Sequence, residues 1–172
     1  IREALQVLVQ EGLITSEPQK GKHVRQMTGK EIYDSYVVAG ILEGAGVAES
    51  LPLWTEANME TFRSVVRQME GKISYATKLD ELAEIDELFH ATLFMACDNT
   101  RLVEMARTSC ATISKYLYYQ HWITMFTPRE YADRHHAVAE AVYSRDVKHV
   151  ETALRDHYKE TGLRMAQFGK EA

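Results

Sequence analysis

From Thr28 to Phe168 the chain keeps one periodicity, an apolar residue every three or four positions, and only Pro52 and Pro128 interrupt it. A stretch of that length with helical spacing and short links must bury its apolar stripes against one another. The spacing predicts six helices, over about residues 28–51, 55–71, 79–97, 99–126, 128–144 and 146–168. Thr28 stands three residues before Glu31, the spacing of a capping box. Thr55, Asn99 and Asp146 can open later helices, and Pro128 suits a first helical turn. The expected fold class is an all-α bundle over residues 27–172.

The first 26 residues read differently. Ile1, Leu5, Leu8 and Val9 line one face of a helix that Gly12 stops. Two extended runs follow, about 13–16 and 23–26, with Pro18 and Gly21 making the turn between them. A helix followed by a basic two-stranded hairpin is the back half of a winged helix. Residues 1–25 carry a charge of about +1 and the rest about −6, within a net charge of −5. That division fits a DNA-reading tip on a body that does not bind DNA. The chain opens inside an amphipathic pattern and without an initiator Met, as the C-terminal part of a longer protein would.

No uninterrupted apolar run approaches the ~20 residues of a membrane span, and nothing resembles a signal peptide. Cys97 and Cys110 are the only cysteines and lack zinc-type spacing, as expected of free thiols in a reducing cytoplasm.

Four residues carry the chemistry. Asp86 and His90 are four apart and share a helix face. His135 and His157 each fall inside a separate helical pattern. Ile85, Phe89 and Leu93 indicate that the first of these helices is packed, and a buried Asp needs a counter-charge. Three imidazoles and a carboxylate suit a divalent transition metal, zinc first, with nickel, iron or manganese also compatible. Such a set leaves positions open on a six-coordinate ion. His135 shares its face with Val138, Ala139 and Val142, whereas His136 is rotated by ~100°, so His135 is the ligand candidate. His121 and His149 read as surface residues, and His23 as a wing residue near DNA.

The stretch IREALQVLVQEGLITSEPQKGKHV resembles the end of the winged helix-turn-helix of GntR-type bacterial transcription regulators. The body resembles the FCD effector domain of their FadR branch. It does so through EIYDSYVVAGILEGAGVAES, the Asp86–His90 pair, Asn99, the His135–Val142 pattern and the run from Asp146 to His157. The resemblance implies a cytoplasmic homodimer that binds operator DNA, a metal on Asp86, His90, His135 and His157, and a small carboxylate effector. It also implies DNA contacts from Arg2, Lys20, Gly21 and Lys22. Two departures stand out. The family's usual Arg four residues before Glu43 is Ala39, and Arg134 stands where Glu is common.

The run from Lys115 to Trp122 is either a half-buried aromatic face or the wall of an effector cavity offering Tyr118 and Tyr119. Arg63, Arg67, Arg107 and Arg134 are the candidate acid-holding cations. The function expected is a metabolite-responsive regulator. The alternative is a metal-dependent enzyme using the same Asp/His set for hydrolysis or carbonyl polarisation.

Overall fold

Thr28, Thr55, Asn99, Thr127 and Asp146 each place a side-chain oxygen on the free backbone N–H groups that open the next helix. In the computed structural model, which describes residues 1–171, these caps set the starts of α2 (Gly29–Ser50), α3 (Glu56–Ile73), α5 (Thr100–Ser109), α7 (Pro128–Tyr143) and α8 (Val147–Ala166). The boxes at Thr28 with Glu31, Thr55 with Asn58 and Thr127 with Glu130 are reciprocal, so each satisfies two orphan donors.

Ahead of this body lie α1 (Arg2–Gln10), β1 (Ile14–Glu17) and β2 (Gly21–Val24). The strands are antiparallel, with Ile14 opposite Val24 and Glu17 opposite Gly21. The turn between them takes Gln19 and Gly21 into positive φ, 63° and 89°. No residue before Met27 is buried. Met27 itself is the first, packed with Ile32, Tyr36, Ile113 and Met165.

α2 is apolar along its length, and by length and composition alone the stretch Gly29–Leu53 would pass as a membrane span. Half of its most apolar part is buried against the rest of the bundle. Its chief partner is α8, and glycines set how close the two come. A Cβ on Gly40 would lie 2.9 Å from that of Tyr158, and one on Gly162 would lie 2.8 Å from that of Tyr36. On the far side Met59, Phe62 and Met69 of α3 join Val47, Phe89, Val142 and Leu154 in the main core. Each such side chain contributes ~1.5–3 kcal/mol by leaving water.

Two expected helices differ. The third begins as a 3₁₀ turn at Leu79–Leu82, and its α-helical part, α4, spans Ala83–Leu93, stopping short of Cys97. The fourth is not continuous. α5 ends at Ser109, a π-helical turn spans Thr112–Leu117, and α6 is a single turn, Tyr119–Trp122. Three hydroxyls bond back to the chain around the break: Thr108 donates to the Glu104 carbonyl, Ser109 to Met105 and Ser114 to Cys110, at 2.9, 2.6 and 3.2 Å. Such back-bonds compete with the helical ladder and bend it.

Candidate metal centre

α4 carries Asp86 and His90, α7 carries His135 and α8 carries His157. One ring nitrogen from each of the three histidines lies within 4.8 Å of the others. Asp86 Oδ1 is 3.1 Å from His135 Nε2 and 4.0 Å from His90 Nε2. The four residues singled out in the sequence therefore meet.

The partners of the outer ring nitrogens define the inner ones. His135 Nδ1 is 2.8 Å from the Tyr131 carbonyl, which only accepts, so Nδ1 carries the proton and Nε2 presents a lone pair. His90 Nδ1 is 2.6 Å from Glu43 Oε1, and the other Glu43 oxygen accepts from the Tyr158 hydroxyl at 2.7 Å. A carboxylate and a carbonyl thus hold two of the imidazoles from behind, as metal-binding histidines require.

Burial lowers the pKa of His90, but the charge and hydrogen bond of Glu43 win and carry it up to about 9. His135 is lowered by burial, and His157 well lowered by burial and the nearby Arg134 charge. Burial raises the Asp86 carboxyl, yet the His135 and His90 imidazoles beside it hold it below its ordinary value.

A cation fits this set. His135 Nε2 and His157 Nδ1 are buried and, among the described residues, have no hydrogen-bond partner. His135 Nε2 is 3.1 Å from a carboxylate oxygen yet does not point along a hydrogen bond to it. Two atoms ~2.1 Å from one ion and at right angles to it lie ~3 Å apart.

The cluster forms one wall of a cavity of about 260 Å³. Phe94, Trp122 and Phe126 supply apolar surface, with Tyr119, Arg107 and Arg134 among the polar groups. Arg134 is held by Glu160 Oε2 at 2.8 Å and Thr161 Oγ1 at 2.7 Å, its guanidinium 4.0 Å above the Phe126 ring. Lys115 reaches Glu87 at 2.9 Å. Cys110 also borders the cavity, its thiol pushed up to about 12 by burial.

Of the effector residues expected from sequence, Tyr119 and Arg134 face this cavity and Tyr118 does not. The Tyr118 hydroxyl instead meets the backbone of Met27. Tyr118 and Tyr119, neighbours in sequence, thus point to different sides. Arg63 and Arg67 lie on α3, paired with Glu56 and Glu60, and take no part. Ala39 is fully buried. His136 Nε2 lies 3.2 Å from Glu70 Oε1, away from the cluster.

Arg2 is exposed on α1, and Lys20, Gly21 and Lys22 form the hairpin tip. Lys20 pairs with Glu17 at 3.0 Å, and the His23 ring meets the Lys20 carbonyl at 2.9 Å. Glu43 and Tyr158 were missed by the sequence reading. The usable sign was a lone Glu within the small and apolar stripe of Ala39, Gly40, Gly44, Gly46 and Val47, all buried.

The sequence pattern of the FCD domain matches residues 34–160. The HTH-type transcriptional repressor RspR of Escherichia coli K12 is 25% identical over 174 residues, covering 99% of this chain and 74% of its own. The Nta operon transcriptional regulator of Aminobacter aminovorans is 26% identical over 137 residues, 78% of this chain and 61% of its own. Among solved structures, E. coli McbR/YncC superposes with a TM-score of 0.76 at 16% identity, covering 97% of this chain and 79% of that one. A GntR family member from Pseudomonas syringae pv. tomato DC3000 gives 0.66 at 22% identity, covering 97% and 69%.

Proposed function

The chain belongs to the FCD-domain family of GntR-type transcription regulators, and on that footing we propose that it senses a small carboxylate through a metal centre in its body and reads operator DNA through its helix and wing. One arrangement carries the reading. Three imidazoles from three helices and the Asp86 carboxylate converge on one wall of an internal cavity, with two nitrogens left without partners. As members of a family of regulators, such chains are not enzymes, so the metal-dependent enzyme is set aside.

A bound divalent ion, zinc before nickel, iron or manganese, supplies fixed positive charge with positions left to oxygen donors. Asp86, His90, His135 and His157 hold it. Glu43 and the Tyr131 carbonyl orient the rings of His90 and His135. Arg134, locked by Glu160 and Thr161, adds a second fixed cation on the cavity wall. Tyr119 offers a hydroxyl, and Trp122 and Phe126 exclude water. A small carboxylate answers all of these. The DNA contacts are Arg2 for base edge or phosphate, Lys20 and Lys22 for phosphate, and Gly21 for close backbone approach. A homodimer would present two such heads to a two-fold operator.

The test begins with metal analysis of the purified protein. We expect about one divalent ion per chain, lost in His135→Ala and His157→Ala together with melting temperature. Unchanged stoichiometry in both variants would remove the assignment. Calorimetry with di- and tricarboxylic and sugar acids should show binding to the metal-loaded protein and none after chelation. Equal affinity in both forms would leave the metal a structural role only.

A further inference from the structure

The segment that breaks the expected fourth helix has two faces with different jobs. Ser114, Lys115, Tyr119 and Trp122 border the cavity. Tyr118, among them in sequence, faces the other way and accepts from the Met27 backbone N–H at 3.0 Å while donating to the Met27 carbonyl at 3.2 Å. One hydroxyl thus grips both polar groups of the residue where the wing meets the body.

Met27 has little freedom to absorb movement. Its carbonyl also accepts from Lys170 N at 2.9 Å, and Thr28 pairs with Lys170 in a parallel bridge. Gly29 and Gly169 are in backbone contact, with a Cβ on Gly169 falling 2.2 Å from Gly29 N. Only Arg25 and Gln26 separate Met27 from the end of β2 at Val24. Arg25 is itself tied back by its N–H to Leu13 O at 2.9 Å and its guanidinium to Glu31 at 3.2 Å.

The π turn differs from an α turn by one residue of winding. It is closed by Tyr118 N on the Ile113 carbonyl at 2.9 Å, one residue wider than an α turn. Tightening it to α would carry Tyr118 through ~100° of rotation and ~1.5 Å of rise. A ligand touching Ser114, Lys115 or Tyr119 has contacts that differ between the two windings, which is what shifting an equilibrium requires.

We propose that Tyr118 is the positioning residue that carries the state of the cavity to the wing, with the Thr112–Leu117 π turn as the element that changes. The proposal rests on the carboxylate-sensing reading given above for the identity of the trigger.

The test compares Tyr118→Phe with the wild type in the complete DNA-binding protein, zinc-loaded, with citrate as the probe acid. The substitution keeps the ring and removes only the hydroxyl. Metal content and citrate affinity by calorimetry should stay within about twofold of wild type, because Tyr118 lies off the cavity. In the wild type citrate should change operator affinity about tenfold, and in Tyr118→Phe by less than about twofold. A variant that responds to citrate as the wild type does overturns the proposal.

If citrate fails to bind the wild type, the sensing reading is what failed, and the joint is then read without any acid. Coupling works in both directions, so loosening the grip on Met27 should speed amide exchange across residues 112–118 about fivefold, the factor of roughly one net hydrogen bond. Exchange in α7 should not change. Unchanged exchange across 112–118 overturns the proposal by itself.

Discussion

A carboxylate inside an apolar helix is costly unless both oxygens are used, and Glu43 uses one on the His90 ring and the other on the Tyr158 hydroxyl. Glu43→Gln keeps the shape and removes the charge that fixes His90. We expect metal affinity, measured by chelator competition, to fall ~10–100-fold; an unchanged affinity would detach Glu43 from the centre. The same pair sets a pH dependence in the metal-free protein. His90, carried up to about 9 from an ordinary 6.5, contributes stability that is complete below about 6.5 and lost as pH rises through about 9. His135 and His157 run the other way. They are held neutral in the fold, so stability is lost as pH falls below about 6.5, where their unfolded counterparts take up protons. Thermal melts of chelated protein should therefore trace a dome, and Glu43→Gln should flatten its alkaline side. An alkaline fall that survives the substitution would assign it to another group. At this scale Asp86, His90, His135 and His157 could be found from spacing, because a ligand has to sit on a packed face of its helix. Glu43 could not be assigned a partner, since its bond to His90 joins residues 47 apart in the chain.

α2 and α8 touch backbone to backbone through Gly40, Gly44 and Gly162. That closeness brings His157 and Tyr158 up to Glu43. Gly40→Val would drive branched carbons into Tyr158 and the α8 backbone, which Cβ alone already meets at 2.9 Å. A cost of ~1–3 kcal/mol is expected, which lowers the melting temperature by ~2–4 °C per kcal/mol in a chain of this size. Metal affinity should fall with it. A variant that loses stability but keeps its metal affinity would show that helix spacing and metal site are independent. The starts of α2, α3, α5, α7 and α8 were readable because each is fixed by a local cap. The end of the third and the middle of the fourth were not. Apolar periodicity runs straight through Cys110 and carries no mark of the π turn at Thr112–Leu117. The miss extends to Tyr118, whose hydroxyl meets Met27, 91 residues away in the chain.

Over the whole chain the charge is divided, about +1 on residues 1–25 and about −6 beyond. A charge of about −6 on the body would oppose DNA, which leaves attraction to the helix and hairpin. In the complete protein Lys20→Ala or Lys22→Ala should weaken binding to all sequences alike and lower the salt slope by about one. Arg2→Ala should instead cost ~1–3 kcal/mol on the specific operator if it reads a base edge. Titrations at several salt concentrations separate the two, and an Arg2→Ala loss equal on operator and random DNA would make Arg2 a phosphate contact. The joining of three helices at one point has a further consequence, for the lifetime of the protein in a cell. The candidate ligands on α4, α7 and α8 enclose most of the second half of the chain, so an ion bound there would act as a removable cross-link. At a free concentration ~1,000 times its dissociation constant it adds ~4 kcal/mol to folding, dividing the unfolded population by about a thousand. Proteases that take the open chain follow that population, so chelated protein should be digested far faster than loaded protein in a pulse-proteolysis assay. Metal supply would then decide how many copies survive to sense anything at all.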